Sequence, residues 1–222
     1  MNKNNAVLYA LLIILLPLAI LILSGNGVLR VSGTYGFYFN DIQASAYIDS
    51  SLNNNELASE ITGYFNSFDD DEFQIYEKNG EFIDPVFDNS EVLAMKQAKS
   101  LLKGTLIAGG VLFVLVIALY IYLLVMGEKK HLRTSGVTAA VATIAALVAK
   151  ILLVSNTTVR TKLYDKYIGV SLNEESSLRL LLGTPMERIY LIFSTIFAII
   201  ILAIFLYAHL SITKERGMFK RN

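Results

Sequence analysis

LIAGGVLFVLVIALYIYLLVM, residues 106–126, runs for 21 positions without a charged side chain. About 20 apolar helical residues cross the roughly 30 Å hydrocarbon core of a bilayer, so this stretch reads as a membrane-spanning helix. Three more stretches read the same way. They are 6–23, with Pro17 inside it, the Ala-rich 137–154, interrupted only by Lys150, and 189–212. The composition agrees: 54% of the 222 residues are hydrophobic, where a soluble domain holds about 45–50%. There is no Cys, which excludes disulfides, thiol redox chemistry, Cys-ligated zinc and Cys nucleophiles.

The charges orient the chain. Lys and Arg concentrate in cytoplasmic loops, and Lys129, Lys130 and Arg133 lie between the second and third spans. Lys3 precedes the first span, and Lys214, Arg216, Lys220 and Arg221 follow the last. Residues 24–105 instead hold five basic residues against thirteen acidic ones, a net of −8, as expected of a translocated segment. The expected layout is a cytoplasmic N-terminus and first span (1–23), an extracytoplasmic domain (24–105), span two (106–126) and a basic cytoplasmic loop (127–136). Span three (137–154), a second extracytoplasmic loop (155–188), span four (189–212) and a basic cytoplasmic tail (213–222) complete it. The first apolar run exceeds the 7–15 residues of a signal-peptide core, so it reads as a retained helix, with a cleaved signal as the alternative. No Cys follows Leu23-Ser24-Gly25, which excludes a lipoprotein signal.

Residues 24–105 are patterned as a small α+β unit. The odd positions from 29 to 39 (Leu29, Val31, Gly33, Tyr35, Phe37, Phe39) alternate with Arg30, Ser32, Thr34, Gly36 and Tyr38, which predicts a half-buried strand. Asn53-Asn54-Asn55-Glu56 starts a helix on which Leu57, Ile61, Tyr64 and Phe68 recur at helical spacing. Residues 73–87 read as a β-hairpin turning at Asn79-Gly80, with Lys78 facing Glu81. Asp88-Asn89-Ser90-Glu91 starts a helix that runs on into span two. Thr184-Pro185-Met186-Glu187 reads as a capping box opening the fourth helix, and Gly183 ends a short helix that begins near Asn173.

Few residues suggest chemistry. The only histidines, His131 and His209, fall on the cytoplasmic side and read as ordinary interfacial residues. Asp69-Asp70-Asp71-Glu72 lacks the alternate acids and glycine of a helix-loop-helix calcium site and reads as a solvated turn. No metal or cofactor is expected, and nothing points to nucleic acid. Lys150, about four residues from the end of its span, is placed to reach its amine to the interface or to contact a ligand. Lys96, Lys99 and Lys103 share one side of their helix, and Arg160, Lys162 and Arg188 reach the same level. These six read as interface anchors or as a pocket for an anionic lipid headgroup. Gly136, Ala140, Ala142 and Ala146 are spaced for close helix approach.

The helix start Phe87-Asp88-Asn89-Ser90-Glu91-Val92-Leu93-Ala94-Met95-Lys96-Gln97-Ala98-Lys99, the domain before it and the three spans after it resemble the lipoprotein intramolecular transacylase (Lit) family of Gram-positive bacteria. The resemblance implies a four-helix membrane fold and acyl movement within a lipoprotein's lipid anchor at the outer leaflet. It covers most of the chain as topology but only 87–99 as motif. In that family the helix carries Glu, then His three residues on, then Asp. Glu91 fits, but Ala94 stands where the His belongs and Gln97 where the Asp does. The family's second outer His has no counterpart in 163–167.

The fold expected is thus membrane α-helical, a four-helix transmembrane bundle with a small α+β extracytoplasmic domain between helices one and two. The function expected is a non-enzymatic accessory, immunity or scaffold protein in a bacterial cell membrane, in contact with lipids and a membrane or surface protein partner. The alternatives are a lipid- or lipoprotein-directed enzyme or binder at the outer leaflet, and a transporter or channel component.

Overall fold

The structure, a computed structural model, describes residues 3–48, 50–69, 71–76, 85–126, 128–159, 162 and 176–214. Its helices are α1 (Lys3–Val28), α2 (Ser32–Ile42), α3 (Ala44–Tyr47), α4 (Asn54–Asn66), α5 (Asn89–Met126), α6 (Lys129–Ser155), α7 (Ser177–Leu182) and α8 (Thr184–Thr213). Four of them are long and apolar enough to cross a membrane, over Asn5–Val28, Asn89–Met126, Lys129–Ser155 and Met186–Thr213. This is a multi-pass membrane protein.

Helix α1 packs against all three of the other spanning helices, α5, α6 and α8, and keeps one exposed face at Val7, Leu11, Ile14 and Leu18. Leu12, Leu16, Ala19 and Ile20 of α1 are buried against Val116, Ala139, Ala140, Leu147 and Ala198. In lipid the driving force is close packing rather than water exclusion, and small residues sit where helices touch. A Cβ on Gly109 of α5 would lie 2.8 Å from Ile22 and 3.0 Å from Leu23. One on Gly27 would lie 3.0 Å from the Phe197 ring.

At 38 residues, α5 is about 57 Å long at about 1.5 Å per residue. That is nearly twice a hydrocarbon core, so its first turns form a stem outside the bundle. Helix α4 rests against the stem, α2 packs on α4 and α8, and α7 joins α8 and is tied to Glu91 of the stem, forming a head with its own core. Tyr35, Phe39, Leu57, Ile61, Phe65, Phe73, Phe87, Met95 and Leu181 are all buried there. Both capped helix starts have the expected local chemistry. The Asn53 side chain accepts from the Asn55 and Glu56 amides while Glu56 accepts from the Asn53 amide. Asp88 Oδ1 accepts from the Ser90 and Glu91 amides while Glu91 Oε2 accepts from the Asp88 amide.

Over the described residues the head is helical and not the α+β unit expected. The strand expected over 29–39 is helix α2, and no strand exists among the described residues. Its buried residues Tyr35, Tyr38 and Phe39 follow helical spacing, while Phe37 is 66% exposed; an alternating strand would have put Phe37 with Tyr35 and Phe39. Helix α2 begins three residues after a spanning helix. A lone strand there would leave backbone groups unpaired beside lipid, whereas a helix pairs its own. Gly36 brings α2 against α4, where a Cβ would stand 3.4 Å from Asn55 Oδ1. Gln43, in the left-handed region at φ 51°, ends the helix. Of the expected hairpin, the described part is an isolated antiparallel bridge between Tyr76 and Pro85, with the Val86 amide donating to Ile75. The Asn79-Gly80 turn and the Lys78–Glu81 pair lie outside the described residues.

Two boundaries also move. Gly183, not Thr184, is the N-cap of α8, so Pro185 falls in the first turn and the Gly183 carbonyl accepts from the Glu187 amide at 3.2 Å. The short preceding helix is capped at Ser176, whose hydroxyl accepts from the Arg179 amide; Asn173 lies outside the described residues. Phe68, expected on α4, comes after its end and is 59% exposed.

Candidate functional site

The lysine side of α5 divides. Lys99 is buried: its Nζ donates to Ser67 Oγ at 2.7 Å and to the Asp69 carbonyl at 2.6 Å, and lies 4.2 Å from the Tyr64 ring centroid. Burial, with the charge of Glu72, pushes the Tyr64 phenol up, which keeps the ring neutral beneath that ammonium. Lys103 donates to the Phe68 carbonyl at 3.3 Å and stands over the Phe68 ring. Two of the six expected headgroup cations therefore hold the chain leaving α4. Lys96, Lys162 and Arg188 are exposed, and Arg160 lies outside the described residues. Asp70 is likewise outside them, and no group of His, Asp or Glu able to hold a metal ion occurs among the described residues.

A second clamp joins α1 to the head. Asn26, buried near the end of α1, donates through Nδ2 to the Leu102 carbonyl and to Thr105 Oγ1 of α5, at 2.6 and 2.9 Å. Its Oδ1 accepts from Arg30 Nε. Arg30 goes on to the Phe65 carbonyl and to Asn66 Oδ1 at the end of α4. Burial lowers the Arg30 pKa, and Tyr35 offsets part of that. Sequence reading assigned no role to Asn26 or Arg30.

At the stem's start Glu91 is buried as a structural tie. Its Oε1 accepts from the Ser176 hydroxyl and from the Leu178 amide at 2.9 Å. Ala94 is 3% exposed within the apolar core of the head. Gln97 lies at the edge of a shallow open trough on α5, with Ser100, Leu101, Gly104, Thr105 and Ala108. Among the described residues the trough is lined by no titratable side chain.

Two polar groups lie inside the bundle. Lys150 of α6 turns towards α8, donating to Ser194 Oγ at 2.7 Å with its ammonium 4.9 Å from the Tyr190 ring centroid. Ser194 is fully buried and also donates to the Leu191 carbonyl at 3.3 Å. Gly25 of α1 makes room for Tyr190, since a Cβ there would stand 2.6 Å from its hydroxyl oxygen. At the opposite end, His209 is buried rather than interfacial. Its ring stacks on Phe205, Nδ1 is 2.8 Å from the Tyr120 hydroxyl, and Nε2 is 3.1 Å from the Arg133 carbonyl. A backbone carbonyl only accepts, so Nε2 carries a proton and donates to it. His131 lies in the first turn of α6, 3.2 Å from the Glu128 carboxylate. The sequence signal for the Lys150 cluster was a lone cation within an apolar span; Ser194 and Tyr190 become legible as partners only once α6 and α8 are side by side.

No protein-family model and no curated protein matches the chain. Solved structures do. One is the membrane integral lipoprotein intramolecular transacylase Lit from Bacillus cereus carrying a histidine-to-alanine substitution. It superposes at a TM-score of 0.70 with 14% identity, over 93% of this chain and 92% of that one. A second Lit structure from the same organism gives 0.67 and 15%, over 93% and 96%. A third, with a histidine-to-arginine substitution, gives 0.65 and 16%, over 91% and 90%. The fold is Lit-like. The 87–99 stretch lies on the stem of α5. There Glu91 joins α5 to α7, Ala94 is core, and Gln97 is half-buried.

Proposed function

We propose that this chain is a lipid- or lipoprotein-directed binder at the outer leaflet, built on the Lit-like fold without histidine acid–base chemistry. The observation that carries the reading is the likeness to Lit over more than nine tenths of both chains. Against catalysis stand the apolar Ala94 at the family's His position and the use of Glu91 as a tie between helices. In this reading the head faces the extracytoplasmic side and both termini are cytoplasmic. Lys96, Lys162, Arg188 and Arg160 supply headgroup contacts, while Lys99 and Lys103 hold the head on its stem. A lone pore is disfavoured because the four spans meet in a buried apolar core.

A second reading, an accessory or scaffold protein that presents its head to another protein, is favoured by one feature. Phe37, Tyr47, Phe68 and Tyr76 are all exposed on the head, from 48% to 68%. Mass spectrometry of the gently solubilised protein separates the two. A co-purified anionic lipid or lipid-anchored protein, with no acyl-shifted product after incubation, supports the binder. A stoichiometric protein partner without bound lipid overturns it in favour of the scaffold.

A further inference from the structure

Lys150 is a cation inside a spanning helix, five residues before the end of α6, and such groups are kept only where something compensates their charge. Its ammonium has three N–H donors and uses one, on Ser194 Oγ. The Tyr190 ring takes part of the charge through its face. Among the described residues no carboxylate meets this ammonium, and the Tyr190 hydroxyl makes no hydrogen bond. Lys150 is only half-buried, so the ammonium keeps an open side. Ser194 cannot serve as a further donor, because its proton goes to the Leu191 carbonyl. Two N–H groups thus remain between α6 and α8 with a positive charge and no protein acceptor, and the Tyr190 hydroxyl, beside Gly25 of α1, has none either.

The depth selects the ligand. Five residues of helix are about 7.5 Å of axis, so the ammonium lies just inside the head-side boundary of the bilayer, within reach of phosphate and ester oxygens. We infer that Lys150, Tyr190 and the Ser194 hydroxyl that orients the lysine form a seat for the phosphate of an anionic phospholipid or phosphate-bearing lipid anchor. The seat is separate from the exposed cations Lys96, Lys162 and Arg188. Charge-assisted N–H···O bonds to phosphate are roughly twice as strong as neutral ones, and the lysine stem covers the adjacent acyl chain. Gly25 is part of the seat, because it leaves room for the Tyr190 hydroxyl.

The inference rests on the lipid-binding reading above, and the test keeps the two apart. The delipidated full-length chain, K150M, K150R and Y190F are titrated with phosphatidylglycerol, phosphatidylcholine or inorganic phosphate in mixed micelles, with bound lipid read by native mass spectrometry. The expected result is wild-type preference for phosphatidylglycerol and at least a tenfold weaker affinity for it in K150M. Y190F should show an intermediate loss of about threefold, and K150R should keep most of the binding. If K150M and Y190F bind phosphatidylglycerol like wild type, the seat is wrong while the lipid-binding reading survives. If the wild type binds neither lipid, both fail. If inorganic phosphate displaces the lipid at equal concentration, the occupant is a phosphate reached from water and a lipid seat is overturned. Y190F keeps the charge and removes one hydroxyl, so it decides the matter even where K150M does not fold.

Discussion

Lys99 shows how far a residue's role depends on what the fold brings to it. From the sequence it is one of three lysines on one side of a helix, and a lipid phosphate is its natural partner. In the folded chain the segment after α4 reaches it first, and its ammonium is enclosed by Ser67, Asp69 and Tyr64. Replacing it with Met leaves the Ser67 hydroxyl and Asp69 carbonyl without their donor, and a buried partner left unmade costs about 1–3 kcal/mol. Lys99→Met is therefore expected to lower the thermal midpoint of the head and to speed hydrogen exchange near 67–69, with exposed Lys96→Met as a neutral comparison. A normal midpoint and unchanged exchange would show that the clamp carries no stability. Asp88 gives a pH dependence. The Ser90 hydroxyl and then the Glu91 amide bond to its carboxylate and hold its pKa below the ordinary value. The fold prefers the ionised form, so its contribution is present above about pH 4 and is lost as pH falls through the lowered folded value. Amide exchange at the first turn of α5 should rise in acid below that point, and Asp88→Asn should remove the pH step. Both helix starts were legible because a capping box is a matter of spacing within four residues. The links of Asn26 to α5, of Arg30 to the end of α4 and of Lys150 to Ser194 were not, because they join residues 35 or more apart whose only local sign is polarity beside or within an apolar run.

At the scale of elements, α2 and α6 make opposite points. The 29–39 stretch alternates like a strand, yet it is attached to a spanning helix and has no sheet to join. Backbone pairing decides against the side-chain pattern, and three of its aromatic residues still find the core at helical spacing. The four spans and the long α5 were legible because their signal is a sum over 20 residues that no tertiary contact outweighs. In α6 the small residues do what their spacing suggests, with one addition. Gly136 admits the buried His209 ring, and a Cβ there would fall within van der Waals overlap of ring carbon and nitrogen. Gly136→Ala is expected to push the ring off Tyr120 and Arg133 and to destabilise the bundle by about 1–3 kcal/mol, the usual cost of overpacking. His209→Ala empties that space, so the double variant should be less destabilised than the two single losses combined. Additive melting shifts in detergent would show that the glycine and the histidine are not coupled.

For the whole molecule, the open physical question is which side of the membrane holds the head. The charge distribution argues for the outside. The start of α6, carrying Lys129, Lys130 and Arg133, is resisted by the translocation machinery, whereas the 24–105 segment carries thirteen acids and five bases and passes easily. The head is tied by the Asn26–Arg30 bridge to α1 and by Glu91 to α7, both at one end of the bundle, so its side follows from that of any single loop. The chain offers a clean measurement, because it contains no Cys and every introduced thiol is the only one. Glu60 on α4 and Lys130 at the start of α6 are both exposed, so Glu60→Cys and Lys130→Cys should fold normally. A membrane-impermeant maleimide applied to intact cells is expected to label the Cys at 60 and to spare the one at 130 until the membrane is opened. The reverse pattern would place the head in the cytoplasm. It would also put Lys150 and the exposed cations at the inner leaflet, where a lipoprotein's acylated end does not lie, and would remove the lipoprotein-directed reading while leaving anionic-lipid binding intact.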